Sequence, residues 1–181
     1  MAAAGDRALA REARGLAPAG ERASDPEERL QHARDIAWRA LGRRDRTEAE
    51  LADTLTAKRV DPETVATVLG ELREGGYVDD ARYAQRFAED RRRLDAWGSD
   101  RIERRLRELG VDSELVAAAV GQQDGADELA AAVALLERRF AAPIETPRDR
   151  DRALGMLVRK GYELELAYDA LRRFAGATEL E

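Results

Sequence analysis

The chain has 181 residues, with 31 Lys+Arg against 37 Asp+Glu, one histidine, no cysteine and a formal net charge of −6. The missing cysteine excludes disulfides and thiolate metal sites, and no stretch approaches the roughly 20 apolar residues of a membrane span. The acidic balance argues against non-specific nucleic-acid binding by the whole chain. Charged residues make up 38% and aromatics 5%, and no alternating β-branched run occurs, so the composition predicts an all-α protein.

Residues 1–29 hold few large apolar side chains, and Asp6, Arg7, Arg11, Glu12 and Arg14 interrupt any signal-peptide core. This segment reads as a flexible tail, because it cannot bury enough area to offset its ordering entropy. A first helix is predicted over Leu30–Arg43, with Ala33, Ile36, Ala37, Ala40 and Leu41 on one face. Thr47-Glu48-Ala49-Glu50 has the form of a capping box opening a second helix that carries Leu51 and Leu55. Asp61-Pro62 opens a third as N-cap and N1. Val65, Val68, Leu69 and Leu72 are its stripe, and Gly75-Gly76 ends it.

One of Asp79 and Asp80 is expected to cap the next helix, Ala81–Leu94, whose apolar face is Tyr83, Ala84, Phe87 and Ala88. Ser99 is the expected N-cap of a helix with stripe Ile102, Leu106 and Leu109, closed by Gly110. Asp112 caps a helix burying Leu115, Val116, Ala119 and Val120. A further unit starts near Asp127, with Leu129, Val133, Leu136 and Phe140 spaced for burial. Pro147 then opens a helix carrying Leu154, Leu157 and Val158 up to Gly161, and Leu164, Ala167, Tyr168, Leu171 and Phe174 stripe the last one.

These helices repeat. Leu55, Leu106 and Leu157 recur at a spacing of 51 residues, as do Val60, Val111 and Tyr162, and Asp61, Asp112 and Glu163. Self-similarity at such a period marks a supersecondary unit stacked on copies of itself. The expected organisation is three tandem three-helix repeats in an elongated, curved array, at 30–78, 79–123 and 124–176, with 177–181 a C-terminal tail.

Few residues suggest catalysis. His32 is alone at a helix start, and triads or zinc sites need convergent partners. No P-loop or dinucleotide fingerprint occurs, and Asp79-Asp80 is better read as capping than as a metal site. No cofactor, metal or enzymatic activity is expected. Residues 81–108, in contrast, hold nine Arg against six Asp+Glu, while 109–145 hold two Arg against seven Asp+Glu. Arg91, Arg92 and Arg93 end one helix; Arg101, Arg104 and Arg105 share a face of the next. Joined across the short turn, the six could form one basic patch for nucleic acid or acidic protein. The competing reading is a solvated face laced to Glu103 and Glu108. Trp97 is read as a hydrophobic staple rather than an interface anchor. Tyr77, Tyr83 and Phe87 are read as inter-helix core rather than base-stacking platforms.

Gly76-Tyr77-Val78-Asp79-Asp80-Ala81-Arg82-Tyr83-Ala84 with Phe87 resembles the signature of RecX regulatory proteins. Trp97-Gly98-Ser99-Asp100-Arg101-Ile102, followed by Leu106 and Gly110-Val111, is similar to that family's second motif, and Arg46–Leu51 to its first-repeat opening. The resemblance spans about Leu30–Phe174 and is weakest in the third repeat. It implies a cytoplasmic, non-enzymatic modulator of RecA recombinase. Such a protein binds the RecA–single-stranded DNA filament, mainly inhibits strand exchange, ATPase and co-protease activity, and acts in recombination, repair and the SOS response. The chain is expected to act as a monomer, with single-stranded DNA as a further partner, directly or through the filament. The alternative is a helix-turn-helix or winged-helix DNA-binding regulator, with Pro62–Glu74 as recognition helix. That helix carries Glu63, Glu71 and Glu74 against Arg73 alone, a poor surface for phosphates.

Overall fold

The computed structural model of the chain describes residues 25–140, 144 and 146–178. Among them are nine helices and no strand: α1 (Pro26–Leu41), α2 (Glu48–Ala57), α3 (Pro62–Glu74), α4 (Asp80–Asp95), α5 (Ser99–Glu108), α6 (Ser113–Val120), α7 (Gly125–Arg139), α8 (Pro147–Lys160) and α9 (Leu164–Thr178). The chain is thus an all-α repeat array.

Short polar side chains start most of these helices by accepting from orphan amides of the first turn. Thr47 forms the full capping box with Glu50. Asp61 accepts from the Thr64 amide, Asp79 from Arg82 and Thr146 from Asp149. Pro26, Pro62 and Pro147 occupy first-turn positions, where a missing N–H costs nothing.

Several boundaries differ from expectation. α1 starts at Pro26, capped by Asp25, so residues 25–29 of the expected tail are helical or cap the helix; the remainder, 1–24, lies outside the described residues. Asp124, rather than a residue near Asp127, starts α7. α9 extends to Thr178, into the expected C-terminal tail. Its buried stripe is Ala167, Ala170, Leu171 and Phe174, which leaves Leu164 and Tyr168 exposed.

The helices bury three separate cores. The first gathers Ala33, Ile36, Leu51, Leu55, Val68 and Leu72 from α1–α3. The second is smaller and centres on Ala84, Ala88, Ile102, Leu106 and Val116 from α4–α6. The third joins Leu129, Leu136, Leu157, Tyr162, Leu171 and Phe174 from α7–α9. In each, the first helix packs on the third, and the second packs across the third.

The spacing of 51 also relates the two junctions between cores. At the first, the Thr47 hydroxyl donates to the Leu109 carbonyl at 2.6 Å, and the Glu48 amide donates to the Asp80 carboxylate at 2.9 Å. At the second, the Gly98 amide donates to the Lys160 carbonyl at 2.9 Å, and the Ser99 amide to the Glu128 carboxylate at 2.7 Å. Thr47 and Glu48 map onto Gly98 and Ser99, and Leu109 onto Lys160. In both, the amino end of one second helix meets the carboxyl end of the next, so unmatched amides face unmatched carbonyls and the dipoles run head to tail.

Two cap assignments change with this. Asp79 caps its own helix, while Asp80 caps α2 of the neighbouring unit. Gly98, not Ser99, is the N-cap of α5. Ser99 gives both its amide and its hydroxyl to Glu128 of α7, at 2.7 and 2.9 Å.

Left-handed backbone follows the same spacing. Arg59, Gly110 and Gly161 have φ of 62°, 77° and 89°. At Gly110 a Cβ would stand 2.3 Å from that of Ala49, and at Gly161 2.3 Å from that of Arg101. Both junctions therefore require glycine there.

Candidate functional site

The six arginines of the expected patch divide. Arg92 is half-buried, and its guanidinium donates to the carbonyls of Val120 at 2.7 Å and Ala119 at 3.4 Å, closing the end of α6. Burial lowers its pKa from the usual arginine value, against the opposing pull of Glu128 and Glu89. Arg93 is exposed and pairs with Asp90 at 3.2 Å. Arg91 pairs with Asp95 at 2.5 Å and sits over the rings of Phe87 and Trp97. A triple-arginine run at a helix end thus points three ways, because adjacent helical residues are rotated about 100° apart.

Arg101, Arg104 and Arg105 do converge. With Trp97, Glu108 and Arg159 they line a cleft of about 580 Å³ where α5 meets the end of α8. Arg101 lies over Trp97, with Cζ 4.1 Å from the ring centroid, and donates to the Arg159 carbonyl at 3.1 Å. Two guanidinium groups therefore flank one indole, an attraction of cation and ring quadrupole. Arg105 is tied to Glu108 at 2.8 Å, whereas Glu103 ties Arg107 rather than Arg104. Arg104 and Arg159 make no ion pair among the described residues. The solvated-face reading holds for Arg105 and Arg107 but leaves two exposed cations unmatched at the cleft.

Arg159 was missed in the sequence because it lies 54 positions beyond Arg105 on another repeat, and only the junction brings it near. Its neighbour Lys160 turns the other way, donating to the Asp95 carbonyl at 2.6 Å.

The motif aromatics also separate. Tyr83 and Phe87 stack at 6.2 Å and, half-buried, pack against the second core. Trp97 is half-buried too; it turns its edge towards Phe87 on the helix before it while Arg101 covers it from the helix after it. Tyr77 departs from the core reading: it is 57% exposed and edge-on to Trp38, at 4.6 Å between centroids. Gly76, with φ of 69°, turns the chain so that the Tyr77 ring lies across Gly75, where a Cβ would be 2.6 Å from it.

His32 is exposed, and no group of three or more potential metal-ligating side chains occurs among the described residues. α3 is a poor recognition helix: Glu71 is held by Arg34 at 2.7 Å, and Arg73 by Glu48 at 3.2 Å. No helix among the described residues is long and apolar enough to cross a membrane.

Residues 33–72 match the family description "RecX, first three-helix domain", and residues 79–120 match "RecX, second three-helix domain". The "Regulatory protein RecX" of Thermobifida fusca is 36% identical over 158 residues, covering 86% of this chain and 85% of that protein. The chain belongs to the RecX family. The RecX regulatory protein of Amycolatopsis mediterranei is 35% identical over 149 residues, covering 81% of this chain and 85% of its own length. In fold, the crystal structure of RecX from Lactobacillus salivarius superposes with a TM-score of 0.73 at 16% identity, covering 82% of this chain and 97% of that one. A second RecX crystal structure gives 0.68 at 21% identity, covering 81% and 73%.

Within a RecX chain the motif residues take on structural meaning. Gly76 makes a turn, Asp79 a cap, Asp80 and Gly98 the junctions, and Tyr83, Phe87 and Trp97 the packing of the second core. At Gly98 a Cβ would stand 2.4 Å from the Gly161 carbonyl oxygen.

Proposed function

We propose that this chain is a non-enzymatic regulator that binds the filament of a RecA recombinase on single-stranded DNA and restrains its ATPase and strand-exchange activities. Family membership supports the regulatory role. The observation that carries the binding surface is the cleft of Arg101, Arg104, Arg105 and Arg159 beside Trp97, at a junction between two repeats. The guanidinium forks of Arg104 and Arg159, with no carboxylate partner among the described residues, suit phosphate or acidic side chains. Several small units in series suit a partner that repeats along its length, since weak contacts add through effective concentration. The acidic stretch 109–145 would face basic protein surface in the same complex. This reading places a monomer in the cytoplasm, acting in recombination and repair.

The test is RecA ATPase on single-stranded DNA, titrated with the native chain and with R104E/R105E/R159E. The native chain lowers the rate, and the folded variant needs about tenfold more protein for the same effect. A native chain without effect at saturation removes the RecA reading. Equal potency of a folded variant removes the cleft from the interface.

A further inference from the structure

The first repeat carries a second basic concavity, on residues outside the Gly76–Phe87 and Trp97–Val111 motifs. His32, Arg39 and Arg43, along and just beyond α1, face Arg46 and Lys58 across a cleft of about 350 Å³. No carboxylate lines it. Arg39 spends its Nε on the Asp35 carbonyl at 2.9 Å, and Arg46 its Nε on the Ala40 carbonyl at 3.3 Å. Neither makes an ion pair, and Arg43 and Lys58 have no acidic partner among the described residues.

Helix ends alone do not account for this cluster. The carboxyl ends of α1 and α2 lie here, and each contributes a partial charge of about −0.5. Against four cationic side chains that leaves roughly three positive charges uncompensated. Three other arginines are matched by contrast: Arg34 is held by Glu71 and Glu27, Arg44 by Glu50, and Arg86 by Asp45. The apolar residues in the cleft wall, Ile36 and Ala40, are already buried in the first core. A protein partner would find no aromatic or aliphatic anchor here of the kind that dominates protein interfaces. What remains is charge and donor geometry, which is how a nucleic-acid backbone is held.

We propose that this first-repeat cleft binds the phosphates of a single nucleic-acid strand, with Arg39, Arg43, Arg46 and Lys58 as the contacting groups. The site is independent of the RecA reading, because it needs only this chain and the strand. It is also separate from the Trp97 cleft, whose lining comes from the second and third repeats.

The experiment is a fluorescence-anisotropy titration of labelled oligothymidylate with the full chain, from low to moderate salt and without RecA. The native chain should bind, with log K falling linearly against log salt. R43E/K58E should weaken binding at least about tenfold and flatten the salt slope by about 1.4, roughly 0.7 per lost contact. Both side chains are exposed, so circular dichroism should be unchanged, and R43Q/K58Q should lose an intermediate amount. Absence of native binding at low salt, or equal binding by the folded variants, overturns the proposal. So does inorganic triphosphate binding as tightly as the strand with the same variant losses, which would assign the cleft to free polyphosphate. Binding of a polyglutamate peptide in place of oligothymidylate would overturn it as well.

Discussion

The Thr47 side chain and the Leu109 carbonyl are joined by a 2.6 Å hydrogen bond that crosses from the first repeat to the second. The same oxygen accepts from the Glu50 amide at 3.1 Å, so one hydroxyl both caps its own helix and holds the end of another. Thr47 is fully buried, which makes it a polar group that must be satisfied. Thr47→Ala removes a cap and strands a carbonyl, and should cost about 1–3 kcal/mol. Urea denaturation measures this; a loss within about 0.5 kcal/mol would mean the junction does not constrain the hydroxyl.

Left-handed backbone gives a paired prediction. Gly161→Ala places a Cβ in a left-handed residue and against Arg101. It should cost more than the roughly 1–2 kcal/mol of the backbone conformation alone. Arg59→Gly, at the equivalent position of the first repeat, relieves that conformation but loosens the unfolded chain. Its net effect should be stabilising by about 0–1 kcal/mol. Equal destabilisation by the two substitutions would dissolve the equivalence of the positions.

Leu106 sits fully buried at the centre of the smallest core. Leu106→Ala should cost about 2–5 kcal/mol through lost transfer energy and the cavity left behind. A measured loss below about 1 kcal/mol would imply that the second repeat collapses around the gap.

Burial pushes the Tyr162 phenol up from 10.0 to about 12, with Glu128 adding to the rise and Arg138 opposing it. A raised acid stabilises the fold fully below its unfolded pKa, and that contribution is lost as pH rises through the native value. Between pH 10 and about 12 the native chain should therefore lose stability that Tyr162→Phe retains. Chemical denaturation of both chains across this interval tests it: parallel losses would exclude Tyr162 as a source of alkaline sensitivity.

Helix positions and caps were legible in the sequence wherever a short polar residue preceded an apolar stripe, as at Thr47, Asp61 and Asp112. Local chemistry decides such positions. What the sequence hid was long-range: Asp80 and Glu128 look like ordinary first-turn acids, yet each caps a helix of the preceding unit. The expected six-arginine patch divides for a related reason, although Arg101, Arg104 and Arg105 converge. Consecutive arginines share a stretch of sequence but not a face, and Arg92 is consumed by the carboxyl end of α6. Arg159 entered the cleft from a distant repeat, where nothing local distinguishes it from other surface arginines. Tyr77 was misread because its exposure depends on the left-handed turn at Gly76.

The two junctions share one polarity, and head-to-tail contacts of that kind propagate into filaments unless something stops them. Here one end of the series carries a side chain that the contact excludes, and the other lacks an amide that it uses. The left-handed residue at the end of each second helix is glycine where another unit docks, at Gly110 and Gly161, but Arg59 at the open end carries a side chain there. The first residue of each docked second helix offers an amide to its neighbour, from Glu48 and Ser99, but α8 begins with Pro147, which has none. Copies of this chain cannot extend the series by repeating its own joint. Among the described residues the joint therefore links units within one polypeptide and is closed at both ends of the series.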